Sequence, residues 1–108
     1  MAPPNPVEWG TAQAGTSVFF SSSVFGKRSA SGALLDPEEM IAAHASLPFG
    51  TLVRVTNTKN GKEATVRIVD RISASSHHII SVSEKAASEL DFKRAGIGQV
   101  KILPVNKQ

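Results

Sequence analysis

Cysteine and tyrosine are both absent from the 108 residues of the chain. Without cysteine there is no disulfide framework, no thiolate metal site and no cysteine nucleophile. No apolar run approaches the roughly 18 residues that a membrane-spanning helix needs. Charged residues are sparse at 19%, and 12 Lys+Arg against 9 Asp+Glu leave a net charge of +3. A balance that small favours an acidic partner only mildly. The basic residues are scattered, with Lys27-Arg28 and Lys93-Arg94 the adjacent pairs. Five Phe and a single Trp do not interleave with them, so the basic-aromatic stripe that single-stranded nucleic acid uses is missing, and no nucleic-acid partner is expected. The opening MAPPNPVEWG has neither a basic n-region nor an apolar h-region, so it is not a secretory signal. A cytoplasmic protein and a mature chain relieved of its leader both fit that opening.

What is present describes one globular domain. Apolar residues make up 41%, with 8 Gly besides, the ordinary globular range. Residues 1–14 hold three of the six prolines and no periodic pattern. They are expected to be a tail or linker, with Trp9 anchoring it, and residues 15–108 the folded domain.

Within the domain the period is mostly two. GTSVFFS (15–21) is β-branched and aromatic and predicts a strand. SSSVFGKRSASG (21–32) predicts a loop, with SASG as a tight turn. In DPEEMIAAH (36–44), Asp36 suits a helix cap, Pro37 the first helical position, and Glu39 stands three residues after the cap; a short helix is expected there. TLVRVTN (51–57) and KEATVRIVD (62–70) predict strands joined through Asn60-Gly61, a strong hairpin signal, with Thr56-Asn57 shaping the turn. Pro48-Phe49-Gly50 is expected to be structural, Phe49 as a core aromatic. IISV (79–82) and QVKILPV (99–105) predict two more strands, and Ser83 caps a second short helix over 84–90. Strands dominate, and closure into a small β-barrel removes their exposed edges.

One residue breaks the apolar rhythm. Val66 and Ile68 share a face, and Asp70 lies two residues further along it. A carboxylate there cannot remain in the core unpaired and is expected at a rim or groove. Its structural alternatives are an ion pair with Arg71 or a turn cap.

The segments ASGALLD (30–36), IAAHASLPFGTLVRVTN (41–57), NGK (60–62) and IVDR (68–71) resemble the bacterial rare lipoprotein A proteins, from about Gly15 to Val105. The resemblance implies a mainly β fold, a six-stranded double-psi β-barrel with two short helices, shared with expansins. It implies lytic transglycosylase activity, a carbon–oxygen lyase reaction on peptidoglycan glycan strands stripped of their stem peptides. It puts the catalytic positions on Asp70 and His44. A location in the cell envelope follows, periplasmic or at the outer membrane, with a lipid anchor on a removed leader compatible with it. A monomer is expected.

The chemistry suits those residue types. The glycosidic oxygen must receive a proton as its bond breaks, and the muramic acid C6 hydroxyl must lose one as it attacks the anomeric carbon. One carboxyl group can perform both transfers in turn, and a nearby His can hydrogen-bond the carboxyl or the substrate. No cofactor is needed for proton transfer. The substrate-binding positions implied are Ser31 and Gly32 beside the groove, Phe20 as a stacking surface, Arg71 toward a glycan carboxylate, His78 in place of the family's Arg, and Ser81. Ser81 stands where relatives carry an Asp, Ile72-Ser73 replace a Gly-Pro, Phe19-Phe20 a Trp-Tyr, and Phe25 a loop His. A two-carboxylate hydrolase is therefore not expected. Two other classes remain: a non-catalytic wall-glycan-binding or expansin-like module, and a cytoplasmic protein-interaction barrel. His77-His78 point to opposite faces of an extended chain and chelate one ion poorly, so no metal site is expected.

Overall fold

Residues 12–20, 26–36 and 38–105 are described by the structure, a computed structural model. The expectations for residues 1–11, including Trp9, and for Phe25 lie outside that set.

The hairpin at Asn60-Gly61 organises one wall. Strands β3 (Leu52–Asn57) and β4 (Glu63–Asp70) pair antiparallel, with Val53 opposite Val66. The alternation does what period two requires: Val53, Val55, Val66 and Ile68 are fully buried. Gly61 takes φ 79° in the turn, a conformation that glycine adopts without strain. Asn57, 4% exposed, braces it, donating from Nδ2 to the carbonyl of Leu90 at 2.9 Å and accepting from the Lys59 N–H at 2.9 Å.

The remaining strands are β1 (Gln13–Phe19), β2 (Ile41–Ala43), β5 (Ile80–Val82) and β6 (Ile97–Val105). All six close into a barrel in the order β1-β5-β2-β4-β3-β6. The pairs β1·β5 and β2·β4 are parallel, and the others are antiparallel. β1 begins at Gln13, inside the stretch expected as tail. The helix α1 (Glu84–Glu89) is capped by Ser83, whose Oγ accepts from the Ala86 N–H at 3.3 Å. Ala86, Ala87, Leu90 and Phe92 join the barrel core.

The helix expected over 36–44 does not form among the described residues. Asp36 does act as a cap: its Oδ1 accepts from the Glu38 N–H at 2.9 Å, and its carbonyl from the Glu39 N–H at 3.0 Å. The turn stops there because Ile41, Ala42 and Ala43 are all buried and pair on both sides, with β4 and with β5. Tertiary pairing overrides the local signal, and α1 is the one α-helix among the described residues.

A register shift in the β2·β4 pair positions the site. Ala42 faces Ile68 but Ala43 faces Asp70, so Val69 has no partner on β2. Such a bulge re-aims the side chains that follow it. Val69 packs outside the barrel with Leu35 and Ile41, and Phe20 rests against them. The outer cluster holds the 26–36 segment against the strand end that carries Asp70.

Candidate active site

Residues 28–34 form a small hairpin over the end of β4. Arg28 bridges Leu34, and the Gly32 N–H donates to the Ser29 carbonyl at 2.9 Å. Gly32 sits at φ 93°, and the Ser29 and Ser31 hydroxyls lie 2.9 Å apart. SASG is therefore the tight turn expected of it. Two main-chain donors dock the turn: Ser31 N–H to the Val69 carbonyl at 3.1 Å, and Ala30 N–H to Asp70 Oδ1 at 2.9 Å.

Asp70 is half-buried at the strand end, the rim position that its place in the apolar row required. The Ala30 N–H holds one carboxyl oxygen, and Oδ2 has no hydrogen-bond partner among the described residues. The ion pair with Arg71 is not made: among the described residues the only ion pair is Lys93–Glu84 at 3.6 Å.

His44 continues β2 and lies beside Asp70 through the main chain, its N–H donating to the Asp70 carbonyl at 3.2 Å. Its imidazole is engaged elsewhere. Nδ1 accepts from the N–H groups of Ser46 and Leu47, both at 3.1 Å, which puts the ring proton on Nε2, 3.0 Å from Gln13 Oε1. The ring is buried, 5% exposed. Burial lowers its pKa below the ordinary 6.5, and the positive charge of Arg71 lowers it further. His44 is thus a neutral strut tying β1, β2 and the following loop. No bond from the imidazole to the Asp70 carboxyl exists among the described residues.

Arg71 and Phe49 form the other flank. The guanidinium carbon lies 4.1 Å from the centre of the Phe49 ring. Its Nη1 points at the carbonyls of Asp70 and His44, at 3.4 and 3.5 Å. Phe49 is not the core aromatic expected: it is 42% exposed. Gly50, at φ 93°, follows it in a turn, and a turn between Pro48 and Gly50 presents its side chain to solvent rather than to the core.

The other positions are more dispersed. Phe20 is half-buried against Leu35, Ile41 and Val69, so part of its ring is already covered. Ser81 is 9% exposed on β5, paired with Val18 on one side and Ala43 on the other, two strands from Asp70. His78 is half-buried in the loop before β5. No group of three metal-ligating side chains occurs among the described residues. Ala30 and Gln13 were not expected at the site, and Phe49 was expected in the core. A main-chain donor has no residue-type signal, and Gln13 lay in the expected tail.

Comparison with known proteins agrees with this architecture. The family model described as lytic transglycolase, a double-psi β-barrel family, matches residues 12–102. The probable endolytic peptidoglycan transglycosylase RlpA of Treponema pallidum is 42% identical over 88 residues, 82% of this chain and 28% of that protein. The endolytic peptidoglycan transglycosylase RlpA of Neisseria meningitidis is 40% identical over 90 residues, 83% of this chain and 38% of that protein. The chain thus spans well under half the length of these relatives. Among solved structures, a Streptomyces papain inhibitor superposes with a TM-score of 0.72 at 18% identity, covering 90% of this chain and 96% of its own. An expansin of Clavibacter michiganensis in complex with cellohexaose gives 0.72 at 20% identity, covering 91% of this chain and 52% of its own. At those identities the two structures speak for the fold. The family match runs from the first described residue into the last strand of the barrel, and the chain belongs to the lytic transglycolase family of double-psi β-barrels.

Proposed function

We propose that this barrel is a peptidoglycan lytic transglycosylase domain cleaving peptide-stripped glycan strands, with Asp70 as its single acid and base. The observation that carries the reading is the 2.9 Å bond from Ala30 N–H to Asp70 Oδ1. It holds one carboxyl oxygen at a half-buried strand end, and Oδ2, which has no hydrogen-bond partner among the described residues, is the oxygen that carries the proton.

In the first half of the reaction that proton passes to the glycosidic oxygen as the bond to the muramic acid anomeric carbon breaks. The carboxylate then takes the proton of the C6 hydroxyl of the same sugar, whose oxygen closes on the anomeric carbon. The product is a 1,6-anhydro end, the carboxyl regains its proton, and no water is consumed. Hydrolysis would need a second carboxylate to activate water, and Ser81 offers only a hydroxyl at the position where the resemblance puts it. His44 supports the site as a strut, holding the end of β2 beside Asp70. The activity for which the Treponema and Neisseria relatives are named favours the same reading. The substrate would place the protein in the cell envelope, at the periplasm or outer membrane. A lipid anchor and a monomeric state belong to the same proposal. No helix of the described residues is long and apolar enough to cross a membrane.

The test is mass spectrometry of denuded strands after incubation with the chain. 1,6-Anhydromuramyl ends are expected, and they should be lost in Asp70→Asn. Intact strands at high protein concentration, with co-sedimentation on sacculi, would instead identify a glycan-binding module.

A further inference from the structure

Basic residues that are scattered along the sequence are gathered by strand register. β3 stands between β4 and β6, and Leu52, Arg54 and Thr56 point outward from it because Val53 and Val55 face the core. Arg54 pairs with Thr65 on β4 and with Leu103 on β6, while Leu52 pairs with Arg67, and Thr56 with Lys101. Lys101, Arg54 and Arg67 therefore follow one diagonal across the three strands, each one strand over and two residues along from the last. Diagonal neighbours of this kind lie about 7–8 Å apart, so the row spans about 15 Å. All three side chains are exposed. None forms an ion pair among the described residues, where the pair found is Lys93–Glu84. Glu63, opposite Thr56, is the acidic residue of this face and stands off the row.

We propose that the Lys101–Arg54–Arg67 row is a docking track for a linear polyanion, a polymer of phosphodiester-linked polyols, on the barrel wall apart from the site at Asp70. Three like charges in a row repel one another and gain nothing within the chain. They fit a ligand that brings its own charges at a similar interval along a line, as a polymer with one anion per repeat does. A compact anion reaches one cation or two. The face between the charges is smooth, because Leu52, Leu103 and Val105 are half-buried. No aromatic ring stands on it among the described residues, so it gives nucleobases nothing to stack on. The barrel is closed, so this wall has no free strand edge to which an extended peptide could add. A polymer of phosphates without bases is the partner these features fit.

The experiment titrates the full chain with a defined poly(glycerol phosphate) oligomer over a series of salt concentrations. Monomeric glycerol phosphate and anionic phospholipid vesicles serve as comparisons. A flexible polyanion contributes about −0.7 to the slope of log K against log salt for each phosphate neutralised, so three cations predict a slope of about −2. The oligomer should bind measurably at low salt, and the monomer should not. Arg54→Gln, at the centre of the row, should weaken the oligomer by about three- to fivefold at low salt and bring the slope to about −1.4. The deciding variant combines Arg54→Thr with Thr65→Arg, an exchange between cross-strand partners. It keeps the net charge and the composition of the face but breaks the line, and it should lose as much affinity as Arg54→Gln. Both variants change exposed or outward-facing positions, and thermal midpoints close to the parent's check that they fold. The comparison of oligomer, monomer and vesicles uses the unaltered chain and needs no variant. No binding of the oligomer, binding of the monomer as tight as that of the oligomer, or full affinity in the exchange variant overturns the proposal. Vesicles bound more tightly than the oligomer also overturn it and make the wall a membrane-docking face. No cleavage is read, so these outcomes are separate from those that decide the role of Asp70.

Discussion

The main-chain N–H of Ala30 lies 2.9 Å from Oδ1 of Asp70, joining a turn to a strand end forty residues away in sequence. The bond can be removed without dismantling the turn. Ala30 is the second residue of the Ser29–Gly32 turn, closed by the 2.9 Å bond from Gly32 N–H to the Ser29 carbonyl. Proline is favoured at that place in a turn and has no N–H to give. Ala30→Pro is therefore expected to fold, and to lower the rate of anhydromuramyl formation by about tenfold to a hundredfold, the worth of a hydrogen bond to a charged group. An unchanged rate in the folded variant would mean that the carboxyl needs no such hold.

Asp70→Asn keeps the acceptor for Ala30 and removes the transferable proton. Cleavage should fall by at least about a hundredfold, while the thermal midpoint stays close to that of the parent. Digestion of strands at the parental rate by this variant would exclude Asp70 as the acid.

The buried, neutral His44 makes stability depend on pH. Its folded pKa lies below the ordinary 6.5, through burial first and Arg71 second. As the pH falls below about 6.5, the unfolded chain takes up the proton before the folded one does, and folding is penalised. The contribution is fully present above that pH and is lost as the pH drops through the folded value. Urea unfolding at a series of pH values should show stability falling from about pH 7 to pH 5. His44→Gln should flatten that fall. It should also cost about 1–2 kcal/mol at neutral pH, because the N–H groups of Ser46 and Leu47 lose their shared acceptor.

The features legible in the sequence are those set by neighbours along the chain. Asn60-Gly61 announced the hairpin, and the alternation of Val53, Val55, Val66 and Ile68 fixed which face goes inward. Asp70 was legible because a carboxylate ending an apolar row has few places to go. Asp36 misled for a physical reason: its cap is real, but whether the chain continues as helix depends on β4 and β5, which pair with Ile41–Ala43 from distant parts of the sequence. Phe49 misled because aromatic character argues for burial, whereas the turn ending at Gly50 exposes it. Proximity of His44 and Asp70 was expected and is found in the main chain; where the ring would point was not written in residue type, since Gln13 and two loop N–H groups decide it.

Asn57 ties the hairpin to the end of α1. Asn57→Asp keeps the acceptor for Lys59 but places a buried carboxylate against the Leu90 carbonyl, where Nδ2 now donates at 2.9 Å. The expected loss is about 3 kcal/mol at neutral pH. It should shrink in acid, where a protonated side chain can donate again. A loss under about 0.5 kcal/mol, the size of an ordinary surface change, would show that Asn60, whose Nδ2 reaches the same carbonyl at 3.2 Å, suffices alone.

Two glycines separate crowding from conformational need. A Cβ on Gly98 would lie 2.8 Å from both Cγ and Cδ2 of Phe92, a ring 3% exposed and packed into the main core. A Cβ on Gly15 would lie 2.9 Å from Cγ2 of Ile79, which is only half-buried. The ring has no room to swing aside, whereas the isoleucine can turn toward solvent. Gly98→Ala should therefore cost about 1–3 kcal/mol and lower the melting temperature by roughly 4–8 °C per kcal/mol in a chain of this size. Gly15→Ala should cost clearly less. Phe92→Leu on its own is destabilising, but combined with Gly98→Ala it frees the space that the methyl group needs, so the double variant should be more stable than the sum of the two single losses predicts. Strict additivity in the thermal unfolding of the four proteins would show that the Gly98 position is not limited by the Phe92 ring.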